Sequence, residues 1–166
     1  FVSDGTNDLR TGNEYISAKG FVFRTSNLSV ASGSTAAMFS AGTVTVRDDW
    51  GAWWNGTNFA AEIPYACRIL VETLVFNYDS NQYLGPDVKR YYSSRASNES
   101  ILRTDNKTGN PTGNGPMWSF TRDFAAGDEI EYNVYSLYVG SAQVMSGSAT
   151  GWSQGSYGKW TVLRRY

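Results

Sequence analysis

The chain has 166 residues, a length typical of one domain with its own apolar core. It contains 14 basic and 15 acidic residues, no histidine and a single cysteine. These counts exclude histidine-dependent hydrolases, histidine metal sites and an intrachain disulfide, and they leave no basic excess for binding nucleic acid.

Short strands separated by turn-forming residues are predicted from residue 14 onward. Residues 1–14 are polar and are expected to lead in from a longer protein, and one β-sandwich domain is expected over 15–166. Strand patterns occur at 14–25, 43–47, 59–63 and 67–78, with a turn of small residues at 26–33. The strand at 67–78 is apolar on both faces, so it should lie centrally or meet a neighbouring subunit. Its Cys67 is expected to be a small buried apolar residue.

The second half of the chain continues in the same way. A loop is predicted at 79–87, a strand at 88–94 and a long polar loop at 97–116. Strands at 117–124 and 129–138 flank a tight turn at 125–128 that accounts for Asp128. A Gly/Ser-rich stretch at 140–158 precedes a final strand at 159–166, in which Trp160 is expected to pack in a core or an interface. No segment has a sustained helical period or the length of a membrane span, which predicts an all-β sandwich or jelly roll.

Three segments together resemble the C1q/TNF-like jelly roll. They are Asn58-Phe59 with Glu62-Ile63-Pro64 before the apolar strand, the turn from Phe124 to Ile130, and the closing strand from Trp160 to Tyr166. The resemblance covers roughly residues 40–166, and the chain looks most like the head domain of a bacteriophage tail receptor-binding protein. It implies a homotrimer joined through aromatic and aliphatic faces, located on the virion at the tail tip, with other tail or fibre segments as partners. It implies no cofactor, and the Arg164-Arg165 pair is expected to form surface or intersubunit ion pairs.

A tryptophan-rich segment is the main indication of function. Trp50, Trp53 and Trp54 lie within five positions and are flanked by Asp48, Asp49 and Asn55. An indole ring covers the apolar face of a sugar, and carboxylate or amide groups bind its hydroxyls, so this segment predicts a saccharide site. The alternative is that these tryptophans fill one end of the sandwich.

Further ring and charge candidates extend this predicted site. Trp152 lies in the Gly/Ser-rich stretch, and Arg90 and Tyr91 can form a wall or contact the phosphate of a phosphorylated glycan. Ordinary strand packing is the alternative for Tyr91. Carboxylates at Asp48, Asp49 and Asp123 are the candidates for acid–base chemistry, but neighbouring strand residues point to opposite faces. Asp48 and Asp49 offer oxygen ligands without the spacing of a calcium loop, so no metal is predicted.

The sequence therefore predicts a non-enzymatic adhesion domain that binds a host cell-surface polysaccharide without nucleic acid or membrane insertion. Two alternatives remain open at this point. The chain can be a structural domain that trimerises and caps a fibre or a collagen-like surface protein, or a carbohydrate-active enzyme that uses Asp48 or Asp49.

Overall fold

A computed structural model of the chain describes residues 2–3, 8–9, 19–40, 44–48, 53–76, 84–103, 117–136, 143–145 and 155–166. Fifteen strands and one turn of 3-10 helix lie in these ranges. The strands are β1 Val2–Ser3, β2 Asp8–Leu9, β3 Lys19–Arg24, β4 Leu28–Val30, β5 Thr35–Ala37, β6 Val44–Asp48, β7 Trp54–Asn55, β8 Ala60–Glu62, β9 Cys67–Leu74, β10 Leu84–Tyr91, β11 Asn98–Arg103, β12 Met117–Phe124, β13 Glu129–Ser136, β14 Gln143–Met145 and β15 Tyr157–Arg165, and the helical turn is Ser93–Arg95.

Two antiparallel sheets form the sandwich. The first sheet has the order β11-β10-β13-β8-β7, with β5 also paired to β13, and the second has the order β12-β9-β15-β3-β6. The chain passes from one sheet to the other between β8 and β9 and again between β12 and β13. The predicted fold class, an all-β jelly-roll sandwich, is confirmed.

None of the described residues belongs to a helix with the length and apolar character of a membrane span.

The core lies between the inward faces of the central strands. In β9 every second residue, including Ile69 and Val71, is fully buried, and the residues between them are exposed or half-buried. In β13 the inward residues include Ile130, Tyr132 and Val134, which are at most 1% exposed. Burial of each such side chain stabilises the fold by about 1.5–3 kcal/mol, so the period-2 pattern fixes which face of each strand points inward.

Three segments differ from the sequence-based prediction. Strand β4 lies in the predicted turn at 26–33 because it pairs with the distant β14. Strand β10 begins at Leu84, inside the predicted loop, and includes Pro86. Its pairing with β11 starts only at Asp87, so Pro86 lies where β10 is an edge and a missing N–H is tolerated. Strand β11 occupies part of the predicted polar loop, because Ile101 and Leu102 pack against the core.

A glycine in the second sheet makes room for the largest buried ring. Gly20 of β3 is paired with Trp160 of β15, whose side chain is 1% exposed, so its predicted packing role is confirmed. A Cβ at position 20 would lie 1.9 Å from Cζ2 of that indole. The indole thus lies directly on the glycine backbone.

We predict that Gly20→Ala lowers the free energy of unfolding by about 3 kcal/mol, because the indole must move off its packed position. Gly56→Ala is the matched control, since no heavy atom lies within 4 Å of the Cβ it adds. Its effect should stay within about 0.5 kcal/mol. Urea unfolding followed by circular dichroism measures both. Equal effects of the two substitutions would contradict this account of Gly20.

Candidate functional site

The structure places Trp53 in the core. Its side chain is 6% exposed, and its ring meets Tyr65 edge-on at a centroid distance of 5.6 Å. Its carbonyl accepts a hydrogen bond from the N–H of Glu62. The indole therefore offers no open face to a sugar, and the expectation of an exposed ring at this position is corrected.

Trp54 and Asn55 form the short edge strand β7. The Trp54 ring is half-buried, stacks on Trp160 at 6.2 Å with an interplanar angle of 18°, and meets Phe39 edge-on. The side-chain oxygen Oδ1 of Asn55 accepts hydrogen bonds from the N–H groups of Thr57 and Asn58 at 2.9 and 3.2 Å. Trp54 thus packs between the sheets, and Asn55 closes the turn between β7 and β8.

The remaining members of the predicted tryptophan site are not described by the structure. Asp49, Trp50 and Trp152 lie outside the described residues. Asp48 is the last residue of β6 in the backbone, and its side chain is also outside what is described.

Arg90 is committed to an ion pair inside one end of the sandwich. Its Nε and Nη2 donate to Oδ2 of Asp128 at 2.9 and 2.5 Å, and the two side chains are 14% and 3% exposed. The same Asp128 oxygen accepts the N–H of Ala125 at 2.8 Å, which confirms its predicted role in the turn. The guanidinium also lies over the rings of Tyr92 and Phe124. Arg90 therefore joins β10 to the turn at 125–128 and is not free to contact a ligand phosphate.

Tyr91, the next residue, points to the opposite side of β10 and belongs to a polar surface. Arg95 covers its ring, with Cζ 3.6 Å from the ring centroid. In β13 the inward residues alternate with Glu129, Glu131 and Asn133, which share the outer side of the first sheet with Tyr91. We call the set of Asn58, Tyr91, Arg95, Glu129, Glu131 and Asn133 the polar face.

A continuous chain of hydrogen bonds runs through the polar face. Asn58 Nδ2 donates to Glu129 at 2.8 Å, and Arg95 bridges Glu129 and Glu131, its Nη2 lying 2.5 Å from Glu131 Oε2. Asn133 Nδ2 donates to the second Glu131 oxygen at 2.9 Å. Glu129 and Asn133 are only 7% and 4% exposed. The network is thus fixed in place, because buried charges persist only when they are paired and hydrogen-bonded.

The backbone that carries Arg95 is strained. Ser94 and Arg95 have φ values of 62° and 54°, in the left-handed region that residues other than glycine rarely adopt. Each such residue costs on the order of 1–2 kcal/mol. The contacts of Arg95 with Tyr91 and the two glutamates offset this cost. Strain of this kind gathers at ligand-binding sites, so it marks the polar face as a candidate site.

The sequence-based reasoning missed most of the polar face. The tryptophan-rich segment is the main prediction, and Glu129, Glu131 and Asn133 are predicted only as members of the strand at 129–138. Their alternation with the inward residues was the available signal, because three consecutive outward positions carry two acids and an amide. No residue pattern around Arg95 in the sequence indicates that it belongs to a site.

Among the carboxylates considered for acid–base chemistry, Asp123 is the one whose side chain the structure describes, and an arginine and a tyrosine hold it. Arg68 donates to both oxygens of Asp123 at 2.8 Å each, and the Tyr166 hydroxyl donates to Oδ1 at 2.5 Å. These hydrogen bonds, Arg68 first, lower the pKa of Asp123 to about 2. A general acid needs the opposite shift, so Asp123 is unsuited to that role near neutral pH. Burial raises the pKa of Cys67 to about 12, which fits the predicted inert core thiol.

Comparisons with known proteins bear on the fold alone. No family model and no curated sequence matches the chain. Murine APRIL at pH 8.0 superimposes with a TM-score of 0.59 and 13% identity over 89% of this chain and 100% of that one. Eiger TNF from S. frugiperda gives a TM-score of 0.53 and 11% identity over 90% and 94%. At these identities the likeness supports a TNF-like jelly roll and no particular ligand.

We predict that the Asp123 pair makes the fold sensitive to acid. The folded-state pKa of Asp123 is about 2, below the ordinary 3.8. Its contribution to stability is therefore complete above pH 3.8 and is lost as the pH falls toward 2. In urea unfolding at a series of pH values, Asp123→Asn should lose less stability than the parent between these limits. Arg68→Gln should behave likewise. The prediction is refuted if the free energy of unfolding falls with decreasing pH as steeply in both variants as in the parent.

Proposed function

We propose that this chain is a non-enzymatic adhesion domain that binds a saccharide of a host cell surface through the polar face. The observation that supports it is the chain of hydrogen bonds from Asn58 through Arg95 to Asn133. It holds carboxylate, amide and guanidinium groups in fixed positions beside a tyrosine ring. Groups held before the ligand arrives lose little conformational entropy on binding.

These groups keep the capacity to bind hydroxyls. A carboxylate accepts about four hydrogen bonds, and Glu129 and Glu131 each accept two within the network. The amide oxygens of Asn58 and Asn133 are further acceptors, and Arg95 has donors beyond the two it uses. A sugar presents hydroxyls as donors and acceptors close together, so its chemistry fits this mixture of groups.

The arrangement favours binding over catalysis. Asp123 and Asp128 are held by arginines, and Glu129 and Glu131 share Arg95. The hydrogen bonds from Arg68 lower the pKa of Asp123 to about 2, which opposes proton donation by that carboxyl group to a glycosidic oxygen. This supports the non-enzymatic proposal over the carbohydrate-active enzyme.

The proposed setting is the tail tip of a bacteriophage, with three copies of the chain forming a head on other tail or fibre segments. It rests on the sequence resemblance and the TNF-like fold. Three equivalent sites on a repetitive polymer increase avidity by a factor of 10²–10⁴ when the geometry allows simultaneous contact, so each site can be weak.

A structural role as a trimerisation domain is supported by a different surface. On the outer side of the second sheet, one row across the strands consists of Phe23, which is 1% exposed, the half-buried Tyr157 and Leu74, and Met117. Met117 is 56% exposed, and the Tyr157 hydroxyl lies 3.2 Å from its sulfur. An apolar row on an outer face is suited to contact between subunits. The two roles are compatible, since the row and the polar face are on opposite sheets.

We predict that the chain has three times the mass of a single copy in light scattering, and that Leu74→Lys reduces this to one copy because a charge then enters the apolar row. Asn98→Lys, on the exposed edge strand β11 of the first sheet, is the matched control and should leave the assembly intact. A parent chain that is monomeric at all concentrations would count against the trimer.

We predict that a panel of neutral cell-wall saccharides contains a ligand whose Kd weakens about tenfold in Glu131→Gln. That change corresponds to about 1.4 kcal/mol, the value of one or two hydrogen bonds to a charged group. Glu99→Gln is the matched control, because it also loses ion pairs with arginines, at the edge of the sandwich. Titration calorimetry gives the affinities. A ligand that binds both variants equally would show that the polar face is not the site.

A further inference from the structure

A row of charged residues crosses the second sheet at the end of its central strands. Arg164 of β15 is paired with Arg68 of β9, which is paired in turn with Asp123 of β12. Side chains directly opposite on neighbouring strands lie close enough to interact, and like charges in that position are destabilising. The folded sheet therefore holds two guanidinium groups side by side with one carboxylate.

That carboxylate is already occupied. Arg68 holds both oxygens of Asp123, and Tyr166 donates its hydroxyl to one of them. Arg164 is exposed and lies 5.4 Å above the ring of Tyr166. Among the described residues, its contact is thus an aromatic ring and not a carboxylate.

An aromatic ring extends this row. Tyr166 is 57% exposed, which leaves much of its ring open to a ligand. Arg165 is paired with the buried Cys67, so its side chain points to the opposite face of the sheet, where it lies 4.2 Å over the ring of Tyr65. The outer face at this end of the second sheet therefore carries two arginines and one aspartate, with the ring of Tyr166 beside them.

We propose that this surface binds the acidic group of an anionic polysaccharide. A guanidinium group forms two parallel hydrogen bonds with a carboxylate or a phosphate, which an ammonium group cannot do. The bound anion relieves the repulsion between Arg164 and Arg68. The exposed ring of Tyr166 covers the apolar face of the sugar that carries the acid. The acid is a uronate carboxylate or a phosphodiester, since each presents two acceptor oxygens on one atom to the guanidinium group.

This surface is separate from the polar face and has a different chemistry. The polar face combines acids, amides and one arginine, whereas the arginine row has an excess of one positive charge over Asp123. A polymer that alternates neutral and acidic sugars could contact both. The net charge of the whole chain is −1, which opposes attachment to long nucleic acids and favours a polymer with sparse charges.

The full chain can be titrated with polygalacturonate, with poly(glycerol phosphate) and with neutral dextran. We expect binding to at least one of the two polyanions and none to dextran. Arg164→Gln and Tyr166→Ala should each weaken that binding about five- to tenfold. Raising the salt concentration from ~0.05 to ~0.5 M should weaken it as well. Binding to polygalacturonate indicates that the ligand group is a carboxylate, and binding to poly(glycerol phosphate) indicates that it is a phosphodiester.

Arg103→Gln is the matched control. It removes the same charge from a similar arginine–tyrosine contact, with Cζ 4.2 Å over the ring of Tyr135, at a distant place on the first sheet. Its polyanion affinity should equal the parent's. Circular dichroism confirms that each variant is folded, which is expected because Arg164 and Tyr166 are exposed.

Three results would overturn the proposal: no binding to either polyanion, an equal loss in Arg103→Gln, or tighter binding to oligothymidylate than to both polysaccharides. None of them bears on the polar face, whose neutral ligand and Glu131→Gln variant are measured separately. Conversely, failure to find a neutral ligand leaves the polyanion titration fully interpretable.

Discussion

The buried ion pair of Arg90 and Asp128 is the contact on which both candidate surfaces depend. It joins β10 of the first sheet to the turn that carries the chain from the second sheet back to the first. The backbone of that turn also exchanges hydrogen bonds with Ile63, just before β9. Removing one partner would leave a charge buried without compensation, at a cost of about 3–5 kcal/mol. The pair therefore fixes the positions of β10, the turn at 125–128 and the segment at Ile63 relative to one another.

Both surfaces start from this fixed end. Glu129 follows Asp128 directly and begins the polar face, and Asp123 precedes the turn and belongs to the arginine row. The turn sets the register of β12 and β13, and the period of two then decides which of their side chains point outward. A shift of one residue in β13 would turn its two outward glutamates into the core. Packing of Ile130, Tyr132 and Val134 therefore also positions the acids between them.

Local patterns predicted the fold well, but not the site. The strand β9, the turn at 125–128 and the burial of Trp160 and Cys67 follow from residues adjacent in the sequence. The positions of Trp53 and Trp54 do not, because their burial depends on a jelly-roll end that closes over them. Contacts in the polar face join residues far apart in the chain: Asn58 and Glu129 are separated by 71 positions, and Arg95 reaches its glutamates across 34 and 36. Short motifs contain no information about such contacts.

Aromatic content is thus a poor guide to binding in a small sandwich. A domain of this size needs large rings to fill the space between its sheets, and Trp54 stacked on Trp160 fills that space. Tyr91 and Tyr166, by contrast, each lie under an arginine on an outer face. A ring beside a cation on an outer strand position is held by its partner and stays within reach of a ligand. Among the described rings, the tyrosines next to arginines are therefore better placed to meet a ligand than Trp53 and Trp54.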